Sequence, residues 1–383
     1  MLVLQLLFIL FLGLVDGQML SPLLPVLAAE FGVTPAKMGM VITAYACAAA
    51  MCALIIGPLS DRWGRIIFLR AAALLFALTS LLAYFARDYA LYFGARVLAG
   101  LAGGTISACV LAQIADAFSF QRRGRAMGWV GAMYSIAAII GVPAAAWITE
   151  RWNWRGIYLL IAIAAMLLAL SLRVPPALAS SRTTNLSQVL RDYLRYWRAP
   201  TTRNGLLLAS MISGTASALL TFLGAFLTTS FGMSISAVGL IFLTAGLAST
   251  VGALAGGILS DRVGKQRMVT LCSLALALNF PVLMQAQSVV QLYMIIGIAG
   301  LFLAGREGPY QALISELVAP HERGAYIALR NAMSQLAIAL SVACAGWFYT
   351  SFGFHAVVWF AVAMSLLAAL LVWLIKEPRR LEA

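Results

Sequence analysis

The stretch GPLSDRWGR at 57–65 recurs two hundred positions later as GILSDRVGK at 257–265. The copies agree at Gly, Leu, Ser, Asp, Arg and Gly, and Arg65 of the first copy is matched by Lys265 of the second. Asp116 and Glu316 extend the correspondence at the same offset. Each copy is predicted to form a short basic turn between two long apolar runs, and the repeat indicates a chain built from two related halves.

The apolar composition excludes a soluble globular domain. The 383 residues are 63% hydrophobic and only 10% charged, with a mean hydropathy of +0.95. A membrane-spanning helix needs about 20 apolar residues, and the alternating pattern of a membrane β-barrel is not seen. The sequence therefore predicts an all-α membrane protein with twelve transmembrane helices. They are placed at roughly 4–27, 36–58, 66–86, 89–113, 125–148, 155–173, 204–230, 236–258, 269–286, 289–313, 325–349 and 354–375.

The net charge of +13 describes membrane orientation rather than a nucleic-acid partner. With a cytoplasmic N-terminus, most of the 26 Lys and Arg residues fall in cytoplasmic loops or the C-terminal tail, as the positive-inside rule requires. Both termini are then cytoplasmic, and the first apolar run is a retained helix rather than a signal peptide. All five cysteines lie inside apolar runs, so we expect no disulfide, metal site or cofactor.

Three domains are predicted: an N-terminal six-helix bundle at 1–173, a cytoplasmic linker at 174–203, and a C-terminal six-helix bundle at 204–383. Apolar residues recur at helical spacing in the linker, with the arginines Arg191, Arg195 and Arg198 on another face. This pattern is typical of an amphipathic helix lying on the membrane surface. The apolar positions are Leu186, Val189, Leu190, Tyr193, Leu194 and Trp197.

Ionisable residues inside the spans are the main candidates for function. Each costs at least about 2.5–3.5 kcal/mol at the centre of a helix in a bilayer, so its presence calls for a role. Asp16, Arg96, Arg306 and Glu307 lie deep in predicted spans, and Arg330 lies at a shallower position.

Asp16 and Glu307, the acids among them, are the candidate proton-coupling residues. A carboxylate whose surroundings change as a cavity opens can load and release a proton. For Asp16 the alternative is a permanent ion pair with Arg96 that only joins two helices. Arg96 shares a stripe with Gly100 and Gly103, which permit a close helix neighbour. It could attract an anionic group or tune a carboxylate, or extend its side chain to the outer interface.

The segment Gly305–Pro309 predicts a broken helix, because Pro309 removes the backbone hydrogen bond to the carbonyl of Gly305. Phe302, Arg306 and Tyr310 share one face of this helix and are candidate substrate-binding residues, together with Arg96 and Phe222. The alternative for Arg306 is mutual neutralisation with Glu307, and aromatic residues such as Phe222 more often fill a helix bundle.

These motifs together resemble the major facilitator superfamily. The quoted stretch is similar to its signature between helices two and three, and Arg96 with Gly100 is similar to its R-x-x-x-G motif in helix four. Gly141 and Pro143 match only part of the helix-five motif of its drug/proton antiporters, because Val142 separates them and alanines replace the later glycines. The resemblance nevertheless is closest to that twelve-helix group.

The resemblance implies two pseudo-symmetric six-helix bundles that expose a central site to each side of the membrane in turn. It also implies that the paired signatures gate this movement. The implied gating residues are Gly57, Asp61, Arg62, Gly64, Arg65 and Asp116 in the first half and Asp261, Arg262, Gly264, Lys265 and Glu316 in the second.

We therefore expect a secondary transporter that exports a small amphipathic compound in exchange for protons. The alternative within transport is a proton-coupled symporter for a small organic anion or a lipid-like substrate. An enzyme is disfavoured because His321 and His355 lie near helix ends and no nucleophile or metal constellation accompanies them. A receptor or lipid-binding protein would not need paired gating motifs. The expected partners are the substrate, protons and the bilayer, with the chain acting as a monomer in a bacterial inner membrane.

Overall fold

Helices make up all of the regular structure in the described part of the chain. The computed structural model describes residues 2–117, 120–172, 186–319 and 322–375, and their side chains except at 57, 58, 61, 62, 115, 116, 120–127 and 186–188. The helices are α1 (Leu2–Gln18), α2 (Leu20–Glu30), α3 (Pro35–Trp63), α4 (Arg65–Phe85), α5 (Tyr89–Ala117), α6 (Phe120–Ile136), a π-helical turn (Ala137–Gly141), α7 (Val142–Arg151), α8 (Trp154–Ser171), α9 (Leu186–Arg198), α10 (Pro200–Phe231), α11 (Ile235–Val263), α12 (Lys265–Val282), a 3₁₀ turn (Leu283–Gln285), α13 (Val289–Gly305), α14 (Glu307–Ser315), α15 (Arg323–Phe352), α16 (Phe354–Leu371) and a 3₁₀ turn (Val372–Leu374).

The predicted number of membrane spans is confirmed. Eleven spans in the described residues are long and apolar enough to cross a bilayer, and α1 with α2 makes a twelfth that bends by 52°. The π-helical turn joins α6 and α7 into one span, and α13 and α14 form another. The chain is therefore a multi-pass integral membrane protein with the predicted all-α fold.

Three prolines account for the three interrupted spans, because proline cannot donate a backbone hydrogen bond to the residue four positions earlier. Pro22 leaves the carbonyl of Gln18 without that bond, and α1 ends at Gln18. Pro309 does the same to Gly305, where α13 ends as the sequence predicted. Pro143 of α7 leaves the carbonyl of Ile139 without that bond, and Ile139 lies inside the π-helical turn. These breaks place irregular backbone within the bundle, beside the ionisable residues of α1 and α14.

The repeat seen in the sequence is also a repeat in three dimensions. Gly100 of α5 packs against the backbone of Tyr45 in α3, and Gly300 of α13 packs against that of Ala245 in α11. Both pairs differ by 200 in number. Without a side chain at the glycine, the two backbones can approach closely. The equivalent helices of the halves therefore pack in the same way.

The structure of the two repeated stretches, 57–65 and 257–265, differs from the prediction of a short turn at each. The helices α3 and α11 continue through them to Trp63 and Val263, and only Gly64 and Gly264 lie outside a helix. Each of these glycines has a positive φ, 96° and 94°, that a residue with a side chain rarely adopts. A helix can extend past its apolar run because its backbone hydrogen bonds continue in the membrane interface, so hydropathy underestimates its length.

The halves meet mainly where α3 packs on α15, α2 on α10, and α7 with the π-helical turn on α11. We call the end of the molecule that carries Gly64, Gly264 and α9 the linker end. The other end, which carries the turns at 31–34, 152–153 and 232–234, is called the distal end. Three hydrogen bonds join the halves in the described residues, and all lie in the distal half of the molecule.

Those three hydrogen bonds join the halves on the distal side of the molecule. Ser21 Oγ donates to the carbonyl of Leu220. Thr43 Oγ1 donates to the carbonyl of Ala339 at 3.1 Å, and Glu150 accepts from the amide of Ser236 at 2.7 Å. No such bond joins the halves at the linker end among the side chains described there. The hydrogen bonds between the halves that the structure describes therefore all lie in the distal part of the molecule.

The helix α9, Leu186–Arg198, lies where the sequence predicted an amphipathic helix in the linker. It packs on α10 and α15 of the second half. Tyr196 is buried there, with its ring centroid 5.3 Å from that of Tyr326. The domain boundaries and the place of this helix on the membrane surface stay predictions, and residues 174–185 of the linker lie outside the described residues.

Candidate functional site

An ion pair lies buried within the first half. Arg96 Nη1 of α5 donates to Asp16 Oδ1 of α1 at 2.5 Å, and the side chains are 2% and 0% exposed. Asp16 sits three residues before the bend that Pro22 imposes. Asp16 Oδ2, Arg96 Nε and Arg96 Nη2 have no hydrogen-bond partner among the described residues. In this conformation the pair that the sequence offered as an alternative is formed, and both groups are closed off from solvent.

Three tyrosines surround this pair, and the sequence prediction missed them. The Arg96 guanidinium lies 5.0 Å from the ring centroid of Tyr45 and 6.0 Å from that of Tyr158. The hydroxyls of Tyr92 and Tyr158 are hydrogen-bonded at 2.7 Å. Aromatic faces attract a cation, most strongly where water is excluded. The only signal in the sequence was the place of Tyr92, one helical turn before Arg96.

Arg306 lies inside the second half, at the break between α13 and α14. It is 0% exposed. Its Nη1 is 3.3 Å from Ser273 Oγ and its Nη2 is 3.3 Å from the carbonyl of Ile212. Its Nε has no hydrogen-bond partner, and it makes no ion pair with a carboxylate of the described residues. Burial of a charge is costly, and the carboxylate that acts on Arg306 electrostatically is that of Glu307, the next residue in the chain.

Glu307 lies next to Arg306 in the chain but in different surroundings, because neighbouring residues project about 100° apart on a helix. Glu307 is half-buried, and its Oε2 accepts from Gln311 Nε2 at 3.4 Å. It interacts electrostatically with Arg330 of α15 and with Tyr134 of α6. Tyr134 belongs to the first half and is 52% exposed. The electrostatic interactions of Glu307 therefore reach a residue of each half, and we call Glu307, Arg330 and Tyr134 the cleft cluster.

Arg330 connects the cleft cluster to Tyr310. Its Nη1 lies 3.5 Å from the Tyr310 hydroxyl, and its guanidinium is 5.8 Å from the Tyr310 ring centroid. Tyr310 itself is buried, at 1% exposure. Neither Arg330 nor Tyr134 was among the predicted site residues, although the sequence had marked Arg330 as ionisable within a span.

The predicted aromatic residues Phe302 and Phe222 lie elsewhere. Phe302 is partly buried against the main hydrophobic core. Phe222 is fully buried and stacks on Tyr349 with ring centroids 5.2 Å apart. A Cβ added at Gly39 of α3 would lie 2.8 Å from the Phe222 ring. Phe222 therefore fills the contact between the halves at the distal end in this conformation.

The described gating residues form matching contacts at the linker end. Arg65 Nη1 donates to the carbonyl of Ala112 in α5 at 2.7 Å. At the equivalent place Lys265 Nζ donates to Glu316 Oε1, just after α14, at 2.5 Å. Each contact ties the beginning of one span to the end of another in the same half.

The other predicted gating residues add little to this picture. Asp261 and Arg262 are exposed, and no ion pair of theirs appears among the described side chains. The side chains of Asp61, Arg62 and Asp116, and the surroundings of Gly57, lie outside what the structure describes. The gating role of these four residues therefore stays a prediction.

The fold and the buried charges define a membrane transporter with pseudo-symmetric halves. The family model of the Major Facilitator Superfamily matches residues 6–223 and 206–383, so the chain belongs to this superfamily. The chain is 27% identical over 380 residues to the uncharacterised MFS-type transporter YwfA of Bacillus subtilis (strain 168), covering 96% of this chain and 90% of YwfA.

Two further comparisons agree with this assignment. The uncharacterised MFS-type transporter YceJ, also of Bacillus subtilis (strain 168), is 26% identical over 348 residues, covering 88% of this chain and 86% of YceJ. The fold matches a crystal structure of a bacterial homologue of the human lysosomal transporter Spinster, in an inward-facing and occupied conformation. The TM-score is 0.78 at 15% identity, covering 98% of this chain and 96% of that one. The protein is therefore a transporter rather than an enzyme.

Proposed function

We propose that the protein exports a small amphipathic compound in exchange for protons, by opening a central site alternately at its linker and distal ends. The observation that carries this proposal is the cleft cluster. The electrostatic interactions of Glu307 reach Arg330 of the second half and Tyr134 of the first. A titratable carboxylate at that place experiences different surroundings in each conformation.

Glu307 is the proposed coupling residue. When its carboxylate is ionised, it attracts the Arg330 guanidinium, and this attraction is strong in a medium of low dielectric constant. Protonation removes the attraction and leaves Arg330 free to interact with Tyr310 or with a substrate. Protonation of Glu307 therefore changes the free-energy difference between the two conformations. The size of the change is set by how much the energy of the Glu307–Arg330 interaction differs between them.

Asp16 is the second proposed coupling residue, acting with Arg96. Their ion pair lies beside the bend of the first span, and α2, beyond the bend, packs on α10 of the other half. A movement of α2 would be transmitted to Asp16 through this bend. Separation of the pair by such a movement is the step at which we propose that Asp16 exchanges a proton.

The remaining predicted residues keep their proposed roles. Arg306, Phe302 and Tyr310, with Arg96 and Phe222, are proposed to contact substrate in some stage of the cycle, and the paired signatures are proposed to gate the linker end. We place the protein as a monomer in a bacterial inner membrane with both termini in the cytoplasm. The basic linker end would then face the cytoplasm.

A proton-coupled symporter of a small organic anion is the second candidate. The second half contains Arg306 and Arg330 in its interior against the single carboxylate of Glu307. An excess of positive charge there favours a substrate with a carboxylate or phosphate group, because such a group can pair with a guanidinium in two parallel hydrogen bonds.

The test uses the purified chain in proteoliposomes. A thermal-shift screen of amphipathic compounds and organic anions first identifies a ligand. A pH-sensitive dye inside the vesicles then reports proton movement when that ligand is added. We expect Glu307→Gln to abolish proton movement while ligand exchange persists, because the amide keeps the size of the side chain but does not titrate.

Glu30→Gln is the matched control. It removes an exposed carboxylate at the distal end, where Glu30 pairs with Arg155, and should leave proton movement intact. Proton movement by Glu307→Gln at the rate of the unsubstituted protein would show that Glu307 does not couple the proton. Ligand efflux driven by an imposed proton gradient supports export, and accumulation under the same gradient supports the symporter.

A further inference from the structure

The helix α9 carries three parallel stripes of side chains, which differ in chemistry. At about 100° per residue, Leu190, Leu194 and Trp197 form one stripe and are 61%, 48% and 43% exposed. The arginines Arg191, Arg195 and Arg198 form the next stripe, also exposed. The third stripe carries Tyr193 and Tyr196, which pack on the second half. One side of the helix thus holds α9 in place, and its other two stripes face outwards.

A groove of about 530 Å³ runs along the arginine stripe. It is lined by Arg191, Leu194, Arg195, Arg198 and Ala199. The lining therefore combines guanidinium groups with an exposed apolar side chain. A ligand that fits it must carry an anionic group beside an apolar part.

The position of Arg195 is fixed by the fold. Arg195 Nη2 donates to Glu322 Oε1 at 2.5 Å, and Glu322 precedes α15. A weaker contact at 3.5 Å joins Arg195 to Asp192 within α9. Hydrogen bonds to Tyr196 and Glu322 raise the pKa of Arg195 above its ordinary value, so its guanidinium stays charged. With Asp192 and Glu322 counted against the three arginines, the groove keeps a net charge of +1.

Anchoring of α9 explains why this surface is a defined site rather than a loose basic tail. The Tyr196 carbonyl accepts a hydrogen bond from Thr202 Oγ1 at 2.5 Å, and the Tyr326 hydroxyl donates to the Thr202 carbonyl at 2.6 Å. These contacts fix the rotation of α9 about its axis. The apolar stripe and the arginine stripe are therefore both held facing away from the bundle.

We propose that this groove binds an anionic phospholipid of the surrounding bilayer. Its phosphodiester lies among Arg191, Arg195 and Arg198, and its acyl chains lie along Leu190, Leu194 and Trp197. Arginine pairs with phosphate oxygens through its planar donors. In a phospholipid the phosphate lies beside the acyl chains, just as the arginine stripe of α9 lies beside its apolar stripe. A soluble anion would leave the apolar stripe in water. The site is separate from the cleft cluster and does not depend on which compound is transported.

The test titrates the detergent-solubilised full chain with phosphatidylglycerol or with phosphatidylcholine and counts bound lipid by native mass spectrometry. We expect phosphatidylglycerol to bind in preference. Arg198→Gln should weaken its binding by about fivefold, the effect expected of one basic residue at an anionic lipid surface, and should leave phosphatidylcholine unchanged. Arg198→Lys keeps the charge and should retain most of the affinity.

Arg87→Gln is the matched control, because it removes an exposed arginine at the distal end. It should bind phosphatidylglycerol as the unsubstituted protein does. Equal loss in Arg87→Gln and Arg198→Gln would show that net charge alone attracts the lipid, and would overturn the proposed site. Inorganic phosphate is added as a competitor. Displacement of the lipid by phosphate at equal concentration would show that the groove recognises the free anion and not a lipid.

Discussion

Gly224 of α10 offers the sharpest test of how the halves meet at the distal end. A Cβ added there would lie 2.8 Å from the backbone carbonyl carbon of Ser21 and 3.0 Å from the Cα of Pro22. Carbon atoms in ordinary contact are about 3.5–4.0 Å apart, so Gly224→Ala must push α2 and α10 apart by several tenths of an ångström. Both atoms belong to backbone, which cannot turn away as a flexible side chain can.

The cost of this contact sets the size of the effect. Overpacking of this kind costs about 1–3 kcal/mol. The penalty applies only while the distal end is closed, because opening that end separates α2 from α10. Gly224→Ala should therefore shift the equilibrium towards the distally open conformation by about 5- to 150-fold.

The assay is a distance distribution between spin labels at Thr34 and Ser230, which are exposed on opposite halves at the distal end. The five native cysteines are replaced first. Gly224→Ala should increase the population with the longer distance. Two controls separate this effect from general damage. Gly17→Ala places its Cβ in open space and should change nothing, and Gly100→Ala creates a backbone clash within one half.

Gly100→Ala should lower the melting temperature without changing the distal distance. An unchanged distance distribution in Gly224→Ala would refute the reasoning that these backbones hold the distal end closed. The same conclusion would follow if Gly100→Ala and Gly224→Ala shifted the distribution equally.

Two further predictions concern the ion pairs. Asp16→Asn should destabilise the protein by about 3–5 kcal/mol, because it leaves the buried Arg96 charge without its partner. The double variant Asp16→Asn/Arg96→Met should recover most of this loss in a thermal melt. No recovery would show that the lost ion pair is not the source of the destabilisation. Lys265→Gln should change the melting temperature little, since exposed pairs such as Lys265–Glu316 contribute about 0–1 kcal/mol. A loss as large as that of Asp16→Asn would contradict this interpretation of the linker-end contact.

Much of the fold was predictable because its signals are local. Apolar run length gave the number of spans, and the paired stretches at 57–65 and 257–265 gave the repeat. The break at Gly305 followed from Pro309, since the missing backbone hydrogen bond is a property of the chain itself. The same rule applied to Pro22 and Pro143 would have found the other two breaks.

The candidate site was less predictable because it depends on rotation and on distant neighbours. Arg306 and Glu307 were expected in one region, yet the first is enclosed by α10 and α12 while the second faces the other half. Tyr134 lies on α6 and Tyr45 on α3. Neither helix carries any of the ionisable residues that were predicted to lie within the bilayer. No spacing in the sequence shows which of the chain's twelve tyrosines stands beside a given arginine.

In the proposed cycle, protonation of Glu307 changes which end of the molecule is open. Two distances measured at acidic and at alkaline pH report on this change: Thr34 to Ser230 at the distal end, and Trp63 to Arg203 at the linker end. All four positions are exposed. We predict that the two distances change in opposite directions with pH, and that Glu307→Gln abolishes the dependence. Distances that stay constant, that change in the same direction, or that respond to pH equally in Glu307→Gln would contradict it.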